Sequence, residues 1–173
     1  MKHKKNDLLN IVEKLRKHDI PKDEFYEALS KIDTFFENPE LEFQLLVSNG
    51  LPLEIIDENV RLKTRTTPIK EQKFCIIDIE TNGSKVQNGQ IIEIAAIKIK
   101  NGEIIDSYES LVYAKEIPEY IQEVTNITPN MLKGAPTLKD VLLEFRIFLE
   151  DTVFVAHDIK FDYNFISGSM ELY

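Results

Sequence analysis

The sequence predicts an α/β domain preceded by a small helical module, on three observations. Apolar residues recur at helical spacing through the first fifty positions, β-prone apolar runs dominate from residue 73 onward, and the two halves differ in charge. Residues 1–70 carry 12 Lys/Arg against 13 Asp/Glu, whereas residues 71–173 carry 9 against 17. The joint falls in the basic stretch from Arg61 to Lys70, which has no acidic residue and sets Pro68 ahead of a strongly apolar run. These features divide the chain into modules 1–70 and 71–173.

In the first module Leu8, Leu9, Val12 and Leu15 mark one amphipathic helix, closed by Pro21, which can also open the next in its first turn. Phe25, Leu29, Ile32 and Phe36 predict a second helix. Asn38-Pro39 caps a third, Glu40 to Ser48, which Asn49-Gly50 terminates. Leu53 to Ile56 and Val60 to Thr66 then flank Asp57-Glu58-Asn59 as a β-hairpin, so the module reads as winged-helix-like. Such a fold does not fix function. The third helix offers Glu40 and Glu42 but no Lys or Arg, which argues against major-groove reading. Arg61, Lys63 and Arg65 would share one strand face, either as a weak phosphate contact or, the reading we prefer, as an edge strand protected by charge. A docking module for another protein is the leading expectation for residues 1–70.

With 43% hydrophobic and 29% charged residues, the 173-residue chain has the composition of a folded protein. Cys75 is the only cysteine, which excludes an intrachain disulfide and a multi-cysteine zinc site and favours a reducing compartment. No run approaches the roughly 18–20 apolar residues of a membrane helix, and the segment from Met1 to Asp7 leads into an amphipathic stretch, so a cytoplasmic protein without a membrane partner is expected. The net charge of −9 opposes nonspecific nucleic-acid binding by bulk attraction, and a nucleic-acid substrate would require metal ions to help.

The second module opens with the apolar run Lys73-Phe-Cys-Ile-Ile-Asp78-Ile-Glu80-Thr81-Asn82-Gly83, in which two carboxylates appear. Alternation along a strand puts Asp78 and Glu80 on one face, close enough to share a hard cation, although they could also lie at a solvated strand end. Ile91 to Ile97 predicts a second strand, and Lys100-Asn-Gly-Glu103 a turn into a third, Ile104 to Val112. Thr125-Asn-Ile-Thr128-Pro129 suggests a threonine cap and first-turn proline for a short helix; Thr137 leads into a longer one through Leu138, Val141, Leu142, Phe145, Phe148 and Leu149. A compact strand, Val153 to Ala156, ends in His157-Asp158-Ile-Lys160-Phe161-Asp162-Tyr163-Asn-Phe165. Phe161 and Phe165 would anchor a helix face, leaving Asp162 to point past the strand end toward the first carboxylates.

Here the sequence resembles the DEDD superfamily of 3′→5′ exonucleases. Its first motif, Asp-x-Glu-Thr-x-Gly, is similar to Asp78, Glu80, Thr81 and Gly83, and its second, His-Asn-x-x-Phe-Asp, to His157, Phe161 and Asp162. Ile92-Glu93-Ile94 resembles the strand after the first motif, and Val124 to Thr128 the substrate-side loop. The likeness covers residues 72 to about 167 and looks closest to the epsilon proofreading subunits of bacterial DNA polymerase III and their relatives. It implies a ribonuclease-H-like mixed sheet with flanking helices. It implies Asp78, Glu80 and Asp162 as catalytic residues holding two divalent ions, Mg²⁺ or Mn²⁺. Thr81, Asn82, Gly83, Thr125, His157 and Phe161 would meet a single-stranded nucleic-acid 3′ end, DNA by the resemblance, and a replicative polymerase subunit would be a partner.

Asp158 stands for the usual asparagine and Asn126 for a common glycine. The family's third motif supplies a histidine base and a fourth aspartate; 11 residues follow Asp162 and none is His or Asp. The expectation is therefore a chain truncated before that motif and impaired in water activation. His157 is expected to fix its turn by hydrogen bonding and not to serve as the base. Glu93 either lines the site or, the slightly preferred reading, is paired within the sheet. The alternatives to an exonuclease are a catalytically inactive fragment that binds nucleic acid or a replication protein, and a structural module with ordinary surface acids.

Overall fold

The computed structural model describes residues 2–32 and 35–173. Met1 lies outside them, as do Asp33 and Thr34 within the stretch predicted as the second helix. The chain divides into two compact units, Met1–Ile69 and Lys70–Tyr173.

The first unit runs α1 (Lys2–Leu15), β1 (Ile20–Pro21), α2 (Lys22–Ser30), α3 (Pro39–Ser48), β2 (Leu53–Ile56), β3 (Asn59–Leu62) and α4 (Lys63–Thr66). The three strands form an antiparallel sheet in the order β1-β3-β2. Phe25, Leu29, Leu53 and Val60 bury their side chains together with Ile11, Leu15, Ile20 and Leu62. Each contributes about 1.5–3 kcal/mol of hydrophobic stabilisation. Asn38 caps α3 by accepting the N–H of Glu40 and Leu41, with Pro39 in the first turn. Asp57 and Glu58 both adopt positive φ, the geometry of a two-residue hairpin turn matched to strand twist.

Three expectations are corrected here. Helix α2 stops at Ser30, short of Ile32 and Phe36, and the amide N–H groups of Phe35 and Phe36 both donate to the carboxylate of Glu42, at 3.1 Å each. Glu42 is accordingly buried and not a groove-facing charge of α3. Arg61, Lys63 and Arg65 do not share a strand face: β3 ends at Leu62, Lys63 begins a helical turn, Arg61 pairs with Glu54 at 2.7 Å, and Arg65 pairs with Asp19.

The second unit contains β4 (Phe74–Thr81), β5 (Ile91–Lys100), β6 (Glu103–Leu111), α5 (Glu119–Thr125), α6 (Leu138–Leu149), β7 (Val153–Val155) and α7 (Ile159–Met170). Its sheet has the order β6-β5-β4-β7, antiparallel except for the parallel pair β4–β7. Asn101 and Gly102, both at positive φ, close the β5–β6 hairpin. Alternation divides the sheet: Cys75, Ile77, Ile79, Ile94 and Ala96 are buried in one core with Val141, Leu142 and Phe145 of α6 and Phe165 and Ile166 of α7. Ile76, Asp78 and Glu80 point to the opposite face. Thr137 caps α6, accepting the Asp140 N–H and donating to Asp140 Oδ2 at 2.6 Å.

Two helix boundaries differ from expectation. No helix follows Thr128, residues 129–134 forming turns, and Thr125 instead ends α5: its hydroxyl donates to the Ile121 carbonyl at 2.8 Å and accepts the Ile127 N–H. Asn126 then caps α5 in the left-handed conformation (φ 58°), which explains why asparagine can stand in place of glycine. Gly168 does not break α7, which runs through it to Met170. A Cβ there would sit 3.1 Å from Val86 Cγ2, so the glycine admits the 83–89 loop against the helix.

Candidate active site

Strand β4 supplies Asp78 and Glu80 two residues apart, alternating with the buried Ile77 and Ile79, just before the strand ends in an irregularity between Glu80 and Thr81. Glu93 of β5 stands directly across from Glu80. From the far side of the chain, α7 contributes Asp162, which is only 4% exposed. Burial holds the Glu80 carboxyl above the usual range, reinforced by the charges of Asp78, Glu93 and Asp162. Asp162 is likewise pushed up, by burial first and then by Asp78 and Asp158. Glu93 is raised by burial, then by Glu109 and Asp78.

The charges of Asp78 and Asp162 are felt at Glu80, and that of Asp78 at Asp162, so the three acids are neighbours at this end of the sheet, and among the described residues none is paired with a Lys or Arg. Glu93 is paired through its backbone within the sheet, opposite Glu80 and Leu111, and among the described residues its carboxylate has no Lys or Arg partner. The acids are neighbours without closing on one point: among the described residues no three His, Cys, Asp or Glu side chains form a ready metal cage. Sequence reasoning left Glu93 unassigned because its place beside Glu80 depends on cross-strand register, which no local pattern encodes.

The remaining candidate residues divide between loop-building and open positions. Thr81 is buried and donates to the Gly83 carbonyl at 2.8 Å. Asn82 ties two loops together, donating to the Glu116 carbonyl and accepting the Gln90 N–H. Gly83 and Gly89 touch back to back; a Cβ on Gly83 would meet the Asn88 carbonyl oxygen at 2.6 Å. Phe161 packs on Phe165 and lines a cleft of about 540 Å³ between the Ser84–Gln87 loop and α7. Thr125 uses its hydroxyl within its own turn. His157 is exposed and makes no hydrogen bond among the described residues; the turn it was expected to fix is held by Asp158, whose carboxylate accepts the Phe161 N–H at 3.2 Å. Aspartate replaces asparagine there without loss of the cap.

A sequence model of the exonuclease family (RNase_T) matches residues 75–173. The chain belongs to this exonuclease family. Among curated relatives, the PolC-type DNA polymerase III of Halalkalibacterium halodurans is 39% identical over 127 residues, 73% of this chain and 8% of that protein. The PolC-type polymerase of Staphylococcus haemolyticus is 39% identical over 128 residues, with the same shares. The chain thus spans about 8% of the length of these relatives. Apo Exonuclease I superposes with a TM-score of 0.53 at 15% identity, covering 58% of this chain and 25% of that one. E. coli Exonuclease I in complex with a dA16 oligonucleotide gives the same score and covers 24% of its chain. These likenesses bear out the ribonuclease-H-like mixed sheet with flanking helices. Among the described residues, no helix is long and apolar enough to cross a membrane.

A pH dependence follows for the exonuclease unit. A carboxyl raised by folding destabilises the native state at pH above its native value, and protonation relieves this as pH falls toward the unfolded value. In metal-free buffer Glu80→Gln is therefore expected to melt higher than wild type at neutral pH. The gap should narrow on acidification and vanish in the ordinary carboxylate range. Thermal melts with EDTA across that range measure it, and a gap that widens at low pH would contradict the assignment.

Proposed function

We propose that the second unit is a metal-dependent 3′→5′ DNA exonuclease module of the proofreading type, acting on single-stranded 3′ ends beside a replicative polymerase. The observation that carries this reading is the convergence of Asp78, Glu80 and Asp162 from two distant segments without a compensating cation. Asp78 is exposed and Glu80 half-buried, but Asp162 is buried, and a buried ionised carboxylate requires a partner. An all-oxygen donor set is the chemistry that hard divalent ions take, so the residues fit Mg²⁺ or Mn²⁺. In this reading the three acids hold the ions, which when bound supply positive charge to the scissile phosphate and acidify the attacking water. Membership of the exonuclease family and PolC-type relatives support it.

The rest of the site positions the strand. The backbone at Thr81, Asn82 and Gly83 receives the terminal nucleotide, held in place by the glycine contact and the Asn82 bridges. Phe161 offers an apolar wall from the neighbouring cleft. His157 and Thr125 border the incoming strand. Residues 1–173 contain no histidine after His157, and His157 sits beside the acids in sequence without a partner to orient it.

The test is a 3′-labelled single-stranded DNA incubated with the chain and Mn²⁺. Release of the terminal nucleotide that stops with EDTA and with Asp78→Ala supports the reading. Release unaffected by either, or cleavage from the 5′ end, overturns it. End binding without any release would favour the second reading, a binding fragment.

A further inference from the structure

We propose that the first unit docks through a tip, the entry to α3 with its exposed Phe35 and Leu41, into an apolar pocket rimmed by lysine and arginine on a partner protein. Phe35 is 89% exposed and Leu41 46%, six residues apart at the entry to α3. Leaving such side chains in water forgoes about 1.5–3 kcal/mol each. The tip is nevertheless held firmly. Buried Glu42 takes the N–H of both Phe35 and Phe36 at 3.1 Å, and Asn38 caps the helix that carries Leu41. An aromatic side chain presented on fixed backbone loses little freedom on binding, and such anchors dominate the energy of protein interfaces.

Charge identifies the partner. From Ile32 to Val60 there is no Lys, Arg or His, while seven Asp and Glu occur. Glu37 and Glu40, both exposed, flank the tip. A complementary surface is basic around its rim and apolar at its centre. The same acidity excludes nucleic acid here, because phosphates are met by Lys and Arg. Five of the unit's basic residues are paired with acids: Arg16 with Glu13, Lys22 with Glu58, Lys31 with Glu27, Arg61 with Glu54, and Arg65 with Asp19. This inference lies beyond the exonuclease reading, since none of its residues belongs to the acid site.

The test uses the full chain, immobilised and panned against a phage-displayed library of random peptides, followed by synthesis of the most enriched sequence. Enrichment of peptides that combine Leu or an aromatic with Lys and Arg is expected. By fluorescence anisotropy the peptide should bind Phe35→Ala about tenfold or more weakly. Glu42→Gln, which keeps the shape of the clamp but weakens it, should give an intermediate loss, and added salt should weaken binding throughout. Circular dichroism and Mn²⁺-dependent nuclease activity should not change in either variant, which separates failure here from failure of the nuclease assignment. The proposal is overturned by panning that enriches nothing, by peptides lacking basic residues, or by binding indifferent to Phe35→Ala. A dimer of the chain that Phe35→Ala dissolves, or single-stranded DNA binding lost in that variant, would assign the tip to another occupant and overturn it equally.

Discussion

Asp162→Asn is expected to abolish metal-dependent release of the 3′ nucleotide while making the metal-free protein harder to melt. The two effects have one cause. Asp162 is buried, and its carboxyl is held above the ordinary range by that burial and by Asp78 and Asp158. Charging it at neutral pH therefore opposes folding, and the isosteric amide removes the charge without changing the shape. The same charge is what a divalent ion requires. Removing one of the three acids proposed to hold the ions should cost about 3 kcal/mol of transition-state stabilisation, two orders of magnitude in rate. Differential scanning fluorimetry with EDTA and with Mn²⁺ reads both sides: wild type gains stability from Mn²⁺, and the variant starts higher but gains little. A variant that melts lower without metal, or retains the Mn²⁺ response, would contradict the placement of Asp162 among the acids.

Phe145→Ala is expected to cost the second unit about 3–5 kcal/mol and leave the first unit's stability unchanged. Phe145 is fully buried on α6, with ring centroids 5.5 Å from Tyr108 and 6.3 Å from Phe148, and it packs beneath the strands that carry the acids. The surrounding sheet cannot collapse to fill the space. With typical domain stabilities of about 5–15 kcal/mol, such a loss brings the unit close to unfolding. The first unit's core, built from Phe25, Leu29, Leu53 and Val60, shares no residue with it. Hydrogen exchange should therefore show amides of residues 70–173 losing protection while those of residues 1–69 keep theirs. A loss below about 1 kcal/mol would show that the cavity is filled by relaxation.

Where several local signals agree, the elements were legible. Asn38-Pro39 with Asn49-Gly50 bounds α3, Thr137 opens α6, and alternation puts Asp78 and Glu80 on one face. Where one signal stood alone, it misled. The spacing of Phe36 extended α2 beyond Ser30, and the bonds from the Phe35 and Phe36 amides to Glu42 leave no periodic trace. Thr125 has the chemistry of a cap but bonds backward to Ile121. Gly168 looks like a breaker until its contact with Val86 is known. The two residues of β1 are too few for any period. Register was out of reach for the same reason: the pairing of Glu80 with Glu93 joins segments whose local patterns are silent about each other.

Strands β4, β5 and β6 form a meander closed by local connections, whereas β7 reaches β4 only through a parallel crossover. A nascent chain leaving the ribosome therefore exposes Asp78 and Glu80 while more than eighty further residues are made before Asp162 arrives. At roughly 5–20 residues per second this interval lasts several seconds. Throughout it the β4 acids stand without Asp162, and the proposed ion site is completed only when α7 packs against the sheet.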